Sequence, residues 1–167
     1  MNIKYLGREK FEIKTGSTVV RLGYQSAIDD FALPGPGEYE KGGVGVVGIP
    51  DGDNTIYLIQ VEEINICYPG RIARDLPEQE VKEIGDVDIL FLPLGEDGTL
   101  PVKKALDLLA KIDPRVVIPM LYADLTEFKT GEGAPNEEID FLKIKKADLP
   151  EEERRIVILK AKQDKQE

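Results

Sequence analysis

Two nearly continuous apolar runs, VDILFLPL over residues 87–94 and RVVIPM over residues 115–120, bracket a stretch whose apolar residues recur at helical spacing. An uninterrupted apolar run bounded by turn residues, here Asp86 and Gly95, reads as a strand covered on both faces. Between the runs, Thr99 and Pro101 open a helix whose Val102, Ala105, Leu106, Leu109 and Ile112 share one face, and Asp113-Pro114 ends it. Strand, helix and strand make a β-α-β unit, so a parallel pair with a right-handed crossover is expected here.

Residues ahead of this unit follow a different period. NIKYLG, KFEIK and STVVRLG alternate or cluster apolar residues, with Thr15-Gly16-Ser17 as a turn, and read as an antiparallel start. Val44, Val46 and Val47 predict another strand, Asp51-Gly52-Asp53-Asn54 a turn, and TIYLIQV with INIC a hairpin across Glu62-Glu63. Asp75-Leu76-Pro77-Glu78 reads as a helix N-cap, followed by Val81 and Ile84 on a short apolar face and by Gly85 as the stop. Residues 123–138, with Gly131, Gly133 and Pro135, read as a mobile loop, and FLKIK and RRIVILKA as closing strands. The expected architecture is one α+β domain over residues 1–162, α/β in part, with two sheets face to face and helices outside. Residues 163–167 read as a frayed tail.

Residues 33–50, LPGPGEYEKGGVGVVGIP, hold six of the sixteen glycines and three of the eleven prolines. Gly43, Gly45 and Gly48 spell G-x-G-x-x-G, but a dinucleotide fingerprint follows a strand and opens a helix. Here the glycines lie within the strand itself, so the segment reads as a structural turn and a glycine-rich strand.

Charge and residue types narrow the function. Lys and Arg number 22 against 32 Asp and Glu, a formal net charge of -10, which repels phosphate backbones and anionic lipid and argues against nucleic acid and membrane partners. KIKK at Lys143–Lys146 reads as a solvated strand edge. The N-terminus carries charges every few residues and no apolar core of a signal peptide. With a single cysteine, Cys67, no intramolecular disulfide forms, and a reducing cytoplasm is expected. Cys67 lies in the apolar stretch INIC and reads as a buried, inert thiol.

Histidine is absent, which removes the commonest general base near neutral pH and the commonest zinc ligand together. Ser-His-Asp and Cys-His mechanisms are excluded. Asp29, Asp30, Glu38 and Glu40 are the best-supported carboxylates for an oxygen-ligated Mg²⁺ or Mn²⁺ site; their default reading is solvated surface.

Taken in order, YLGREKFEIK, GPGEYEKGGVGVVGIP, NTIYLIQVEEINICYPG, IGDVDILFLPLG and KIDPRVVIPMLY resemble the metallo-β-lactamase superfamily, in particular its L-ascorbate-6-phosphate lactonase-like branch. The resemblance implies an αββα sandwich and a metal-bound hydroxide attacking an ester, lactone, amide or phosphodiester. It also implies a YLGH start, a central His-x-His-x-Asp-His motif, a strand ending in His-Leu-Gly-Asp and a Pro-Met-His-Tyr. In this chain YLGR places Arg8 at the first of these, Tyr68-Pro69-Gly70-Arg71 stands for the His-Leu-Gly-Asp, and Pro119-Met120-Leu121-Tyr122 stands for the last. The central motif is missing, since only YQSAIDDFA lies between STVVRLG and LPGPGEYE.

The expectation is therefore a trimmed sandwich that has lost the family's metal centre, holds no cofactor, and acts as a binding or scaffold protein, not as an enzyme. Arg8, Glu38, Tyr68, Arg71 and Tyr122 are the candidate ligand-binding residues of the vestigial cleft, suited to a small anion without metal. The competing reading of the arginines is that they fill a vacated hole and pair with Asp75, Glu9 or Glu38. Two other functions stay open: hydrolysis of a small ester, lactone or phosphate through a carboxylate-only metal site, and an obligate homo-oligomer. A protein partner is a further alternative.

Overall fold

The computed structural model describes residues 1–134 and 137–162. Its first strands are β1 (Asn2–Gly7), β2 (Lys10–Thr15), β3 (Thr18–Leu22), β4 (Ala27–Ile28) and β5 (Phe31–Ala32). A second meander follows as β6 (Gly37–Lys41), β7 (Val44–Asp51), β8 (Asn54–Val61) and β9 (Ile64–Tyr68). The chain continues through α1 (Glu78–Ile84), β10 (Ile89–Pro93), α2 (Val102–Ile112), β11 (Val116–Met120) and α3 (Thr126–Glu132). Short strands β12 (Glu138–Ile139), β13 (Leu142–Lys143), β14 (Arg155–Ile156) and β15 (Ile158–Leu159) complete it.

Among the described residues β1–β5 form one sheet with β13 on its edge, β6–β11 form a second with β14 beyond β11, and β12 pairs with β15. The β-α-β expectation holds: β10 runs parallel to β9 and to β11, and β11 parallel to β14. The predicted hairpin turns on Glu62 and Glu63 at left-handed φ values of 51° and 62°.

Alternation explains how an unbroken apolar strand serves two cores. Ile89, Phe91, Val116, Ile118 and Met120 face the first sheet and join Phe11, Ile13, Val20 and Tyr68 in the inter-sheet core. Leu90, Leu92 and Val117 point the other way, against Leu108, Leu109, Ile112 and Phe128 of the helices. Aromatic rings lock the inner layer, with Phe11 and Phe91 centroids 4.3 Å apart and Tyr68 edge-on to Phe91 at 5.8 Å. The outward positions of the first sheet, such as Lys4, Glu12, Lys14 and Arg21, carry charge and remain partly exposed. The buried helical residues all belong to the core on the other sheet, so the expected αββα sandwich is trimmed to helices on a single outer face among the described residues.

Local corrections have physical causes. Thr126–Glu132, expected as loop, is helical because Phe128 is fully buried and anchors it despite Gly131. Asp75 does not cap α1; Pro77 precedes the helix with no side-chain cap, and Asp75 pairs instead with Lys104 at 3.2 Å. FLKIK and RRIVILKA supply only two-residue strand pairings, although Lys143 does sit on an exposed strand edge. The tail at 163–167 lies outside the described residues, and among the described residues no helix is long and apolar enough to cross a membrane.

The glycine-rich segment is a hairpin, β6 to β7, turning at Gly42-Gly43 with φ of 60° and 82°. Gly48 answers a different need. A Cβ there would lie 2.6 Å from the Gly35 carbonyl oxygen and 3.1 Å from Pro36 Cα, both backbone, whereas a Cβ on Gly45 would meet nothing within 4 Å. Gly48→Ala is expected to lower stability by about 1–3 kcal/mol, and Gly45→Ala to leave it unchanged or raise it by up to ~1 kcal/mol. Urea unfolding of the two variants checks the contrast.

Candidate functional site

In an open sheet with parallel strands, the carboxyl ends of those strands meet a crevice. Here Tyr68, Pro93 and Met120 end β9, β10 and β11, and the β1–β2 turn at Arg8-Glu9 closes over them from the first sheet. Tyr68 Oη donates to the Glu9 carbonyl at 2.7 Å, and Tyr5 Oη donates to the Arg8 carbonyl at 2.7 Å. The same Arg8 carbonyl accepts the Leu121 N–H at 3.1 Å, while Glu96 N–H donates to the Leu121 carbonyl at 3.1 Å. The two sheets are thus tied by backbone at the positions that follow their strands.

Arg8, Asp97 and Leu121 all adopt left-handed φ, at 55°, 54° and 50°. Such conformations cost about 1 kcal/mol or more each for a residue with a side chain, and they concentrate where function or tight closure demands them. Asp97 lies in the Glu96–Gly98 turn after β10, where Thr99 Oγ1 donates to the Glu96 carbonyl at 2.8 Å and accepts the Gly95 N–H at 3.0 Å.

Four charged groups converge at this closure. Arg71 Nε and Nη2 donate to Glu9 Oε1 at 3.1 and 2.6 Å, and Nη2 lies 3.5 Å from Asp97 Oδ2. Arg8 hydrogen-bonds Asp97, and its Nε stands 3.8 Å from Glu9 Oε2. The Glu9 side chain is only 6% exposed and its Oε2 has no hydrogen-bond partner among the described residues, whereas the Arg71 side chain is 44% exposed. Asn54 Oδ1 accepts the Arg71 backbone N–H at 3.0 Å and Asn54 Nδ2 donates to the Pro69 carbonyl at 2.8 Å, holding the 69–71 turn in place. Burial, reinforced by the Glu9 charge, pushes the Tyr68 phenol well above its ordinary range, so Tyr68 acts here as a neutral donor.

Beside the network opens a hollow of about 500 Å³, lined by Glu9, Tyr24, Ser26, Asn54, Tyr57 and Arg71 among others. Of the candidate residues, Arg8, Tyr68 and Arg71 come together. Tyr122 stands off from them, its ring beside that of Tyr5 with centroids 6.4 Å apart. Glu38 does not join them; it lies on β6, opposite Val47 in register, and lines a separate hollow, because the β6–β7 hairpin turns its side chain to the outer face of the sheet. Of the expected arginine partners, Asp75, Glu9 and Glu38, only Glu9 pairs with Arg8 and Arg71 among the described residues. Asp97 carried no signal in the sequence beyond its place in a polar turn, since its role depends on a chain fold that spans 89 positions.

The carboxylates expected to share a cation do not converge. Asp29 Oδ1 accepts the Val19 N–H at 2.8 Å and Asp30 pairs with Lys41, while Glu38 and Glu40 are exposed on β6. Among the described residues no group of three or more His, Cys, Asp or Glu side chains could hold a metal ion. At the strand ends the carboxylates of Glu9 and Asp97 both face guanidinium groups, a pairing that competes with metal ligation.

Residues 3–121 match the sequence model of the Beta-lactamase superfamily domain. A UPF0173 metal-dependent hydrolase of Pyrococcus horikoshii is 30% identical over 113 residues, which cover 56% of this chain and 50% of that protein. A UPF0173 metal-dependent hydrolase of Archaeoglobus fulgidus is 29% identical over 85 residues, 51% of this chain and 35% of that protein. The chain therefore spans half or less of the length of these curated relatives. In structure it is similar to a metallo-β-lactamase superfamily protein of Thermotoga maritima, with a TM-score of 0.77, 20% identity, and coverage of 95% of this chain and 98% of the other. A metallo hydrolase of Ignicoccus hospitalis gives a TM-score of 0.64 at 15% identity, covering 86% of this chain and 99% of the other. At these identities the structural likeness speaks for the fold alone.

Two outcomes test this site. Removing the Arg71 guanidinium strands a buried carboxylate, so Arg71→Met is expected to destabilise by about 3 kcal/mol; Glu9→Gln costs less because Arg71 can turn to water, and the double variant recovers part of the Arg71→Met loss. Denaturant unfolding of the full cycle reads the coupling. Cys67 is fully buried and its thiol is pushed up to about 12 by burial alone. It should stay unmodified by a thiol reagent at pH 8 in the folded protein and react rapidly in denaturant, followed by absorbance.

Proposed function

The chain belongs to the metallo-β-lactamase superfamily through residues 3–121, and from that membership we propose that it is a non-hydrolytic member whose cleft binds a small anion without metal. The observation that carries this reading is the convergence of Arg8 and Arg71 with Glu9 and Asp97 at the strand ends. Arg8, Arg71 and Leu121 are the residues aligned, by resemblance, with ligand positions of the lactonase-like branch. Two of them are in contact, the Leu121 N–H donating to the Arg8 carbonyl, and the Arg71 side chain reaches Glu9 beside them.

Neither a guanidinium nor a leucine side chain offers a lone pair to zinc, and the fixed positive charge of Arg71 repels a dication by several kcal/mol at a few ångströms, even at an effective dielectric of ~20. The family's metal would supply a hydroxide nucleophile and charge neutralisation, and among the described residues no group of three or more His, Cys, Asp or Glu side chains could hold it. The network is instead internally neutral: two arginines against two carboxylates. Arg71 spends Nε and Nη2 on Glu9, while its Nη1 makes no hydrogen bond among the described residues and the side chain is 44% exposed. That free nitrogen, beside the Asn54, Ser26 and Tyr57 polar groups of the hollow, suits a carboxylate or phosphate oxygen.

Incubating the full chain with excess Zn²⁺, Mn²⁺ or Mg²⁺, desalting it and measuring metal by elemental analysis should find far less than stoichiometric metal, and no turnover of lactone, ester or phosphodiester substrates. Inorganic phosphate should raise the melting temperature of the native chain and leave that of Arg71→Met unchanged relative to its own baseline. Stoichiometric metal that supports hydrolysis would overturn the proposal, as would an equal phosphate shift in the variant.

A further inference from the structure

The helices protect only part of the second sheet. Along its outer face, cross-strand register sets Glu38, Val47, Leu58 and Cys67 in one row and Glu40, Gly45, Gln60 and Asn65 in the next. Cys67 is fully buried beneath the helical layer, but Val47 is 41% exposed and Leu58 is half-buried. Over these rows lies a hollow of about 680 Å³, walled on one side by Ile84, Asp86 and Val87 at the end of α1. Its floor dips at Gly45, where an added Cβ would meet nothing within 4 Å.

The rim is acidic. Glu38, Glu40 and Asp86 are exposed, no Lys or Arg lines the hollow, and none of the three carboxylates has an ion-pair partner among the described residues. Some acidic residues elsewhere, such as Glu9, Asp30, Asp51, Asp75 and Asp88, have such partners, while others such as Asp53, Glu83 and Asp107 have none among the described residues; what sets this face apart is the apolar floor beneath its three carboxylates. β6, which carries two of the three, is also the last strand of its sheet, so its outer backbone groups are open to an added extended segment.

We propose that this face docks a basic segment of a partner protein: an apolar side chain of the segment enters the dip over Gly45, Val47 and Leu58, and flanking lysines or arginines meet Glu38, Glu40 and Asp86. Charge complementarity selects that occupant. A second copy presenting the same face would set carboxylates against carboxylates on a chain whose formal net charge is already -10, and phosphate-bearing partners meet the same repulsion. The hollow lies away from the Arg71 cleft, shares no lining residue with it, and stands independently of how that cleft is used.

A short fluorescein-labelled peptide of alternating lysine and leucine pairs, titrated against the full chain and followed by anisotropy, tests the site. Glu38→Lys with Glu40→Lys should weaken binding at least about tenfold. Gly45→Phe, which fills open space, should weaken it comparably with an unchanged melting temperature, and the remote reversal Glu152→Lys should leave affinity within about twofold. In amide spectra of the native chain the peptide should shift Gly45, Val47, Leu58 and Gln60. Several results overturn the proposal: no binding, full affinity in Gly45→Phe, equal weakening by Glu152→Lys, or equal affinity for a peptide with leucine replaced by serine. Sedimentation showing a native dimer that the Glu38→Lys, Glu40→Lys pair dissociates would assign the face to a second copy and overturn it as well.

Discussion

The structure depends on burying β10 and β11 on both faces. Every residue of Ile89–Pro93 and Val116–Met120 is buried, and successive side chains of a strand point in opposite directions, so two separate apolar layers must be supplied. The first sheet supplies one, through Phe11, Ile13 and Val20, and the helices supply the other, through Leu108, Leu109 and Phe128. Remaining features follow from that demand. The parallel pairs β9–β10–β11 require crossovers, the crossovers place helices on one face, and the carboxyl ends of these strands are brought to one end of the sandwich, where the β1–β2 turn meets them.

At that end the protein solves an electrostatic problem of its own making. A carboxylate as buried as Glu9 costs several kcal/mol unless a charge partner and hydrogen bonds compensate it. Arg71 provides both through two donors, and Asp97 balances the second guanidinium. The left-handed backbones of Arg8, Asp97 and Leu121 show that the chain accepts local strain to bring these groups together. An ion-pair cluster and a metal centre make opposite demands of the same strand ends: one needs cations from the protein, the other needs lone pairs around a cation from solution. The residues present meet the first demand. That is the physical ground for reading the cleft as a binding site within a superfamily whose named relatives include metal-dependent hydrolases.

The same trimming that simplifies the sandwich leaves surface behind. With helices over β9–β11, the outer rows run from a buried thiol on β9 to an open, acid-rimmed apolar floor on β8–β6. Glu38, grouped from the sequence with the cleft residues, belongs to this second surface. The reason is periodicity: on β6 its side chain alternates with Tyr39, whose hydroxyl turns back to the Gly35 and Pro36 carbonyls.

Periodicity also sets what could be read from sequence. Strand alternation in NIKYLG and KFEIK, the unbroken runs at 87–94 and 115–120, and the helical spacing from Val102 to Ile112 were legible because each is a local signal imposed by burial on one or two faces. The absence of histidine was equally legible and by itself removed imidazole chemistry. The helix at Thr126–Glu132 was not, since its only strong anchor is Phe128 and its glycines signal a loop. Nor could sequence place Asp97 beside Arg8 or separate Glu38 from Arg71, because those relations depend on how the two sheets close. The sequence by itself determined the strand and helix periodicities, the β-α-β unit and the absence of histidine. Only tertiary structure decided which charges meet at the strand ends and which face of the second sheet stays open, because long-range electrostatic pairing and coverage by helices leave no periodic trace along the chain.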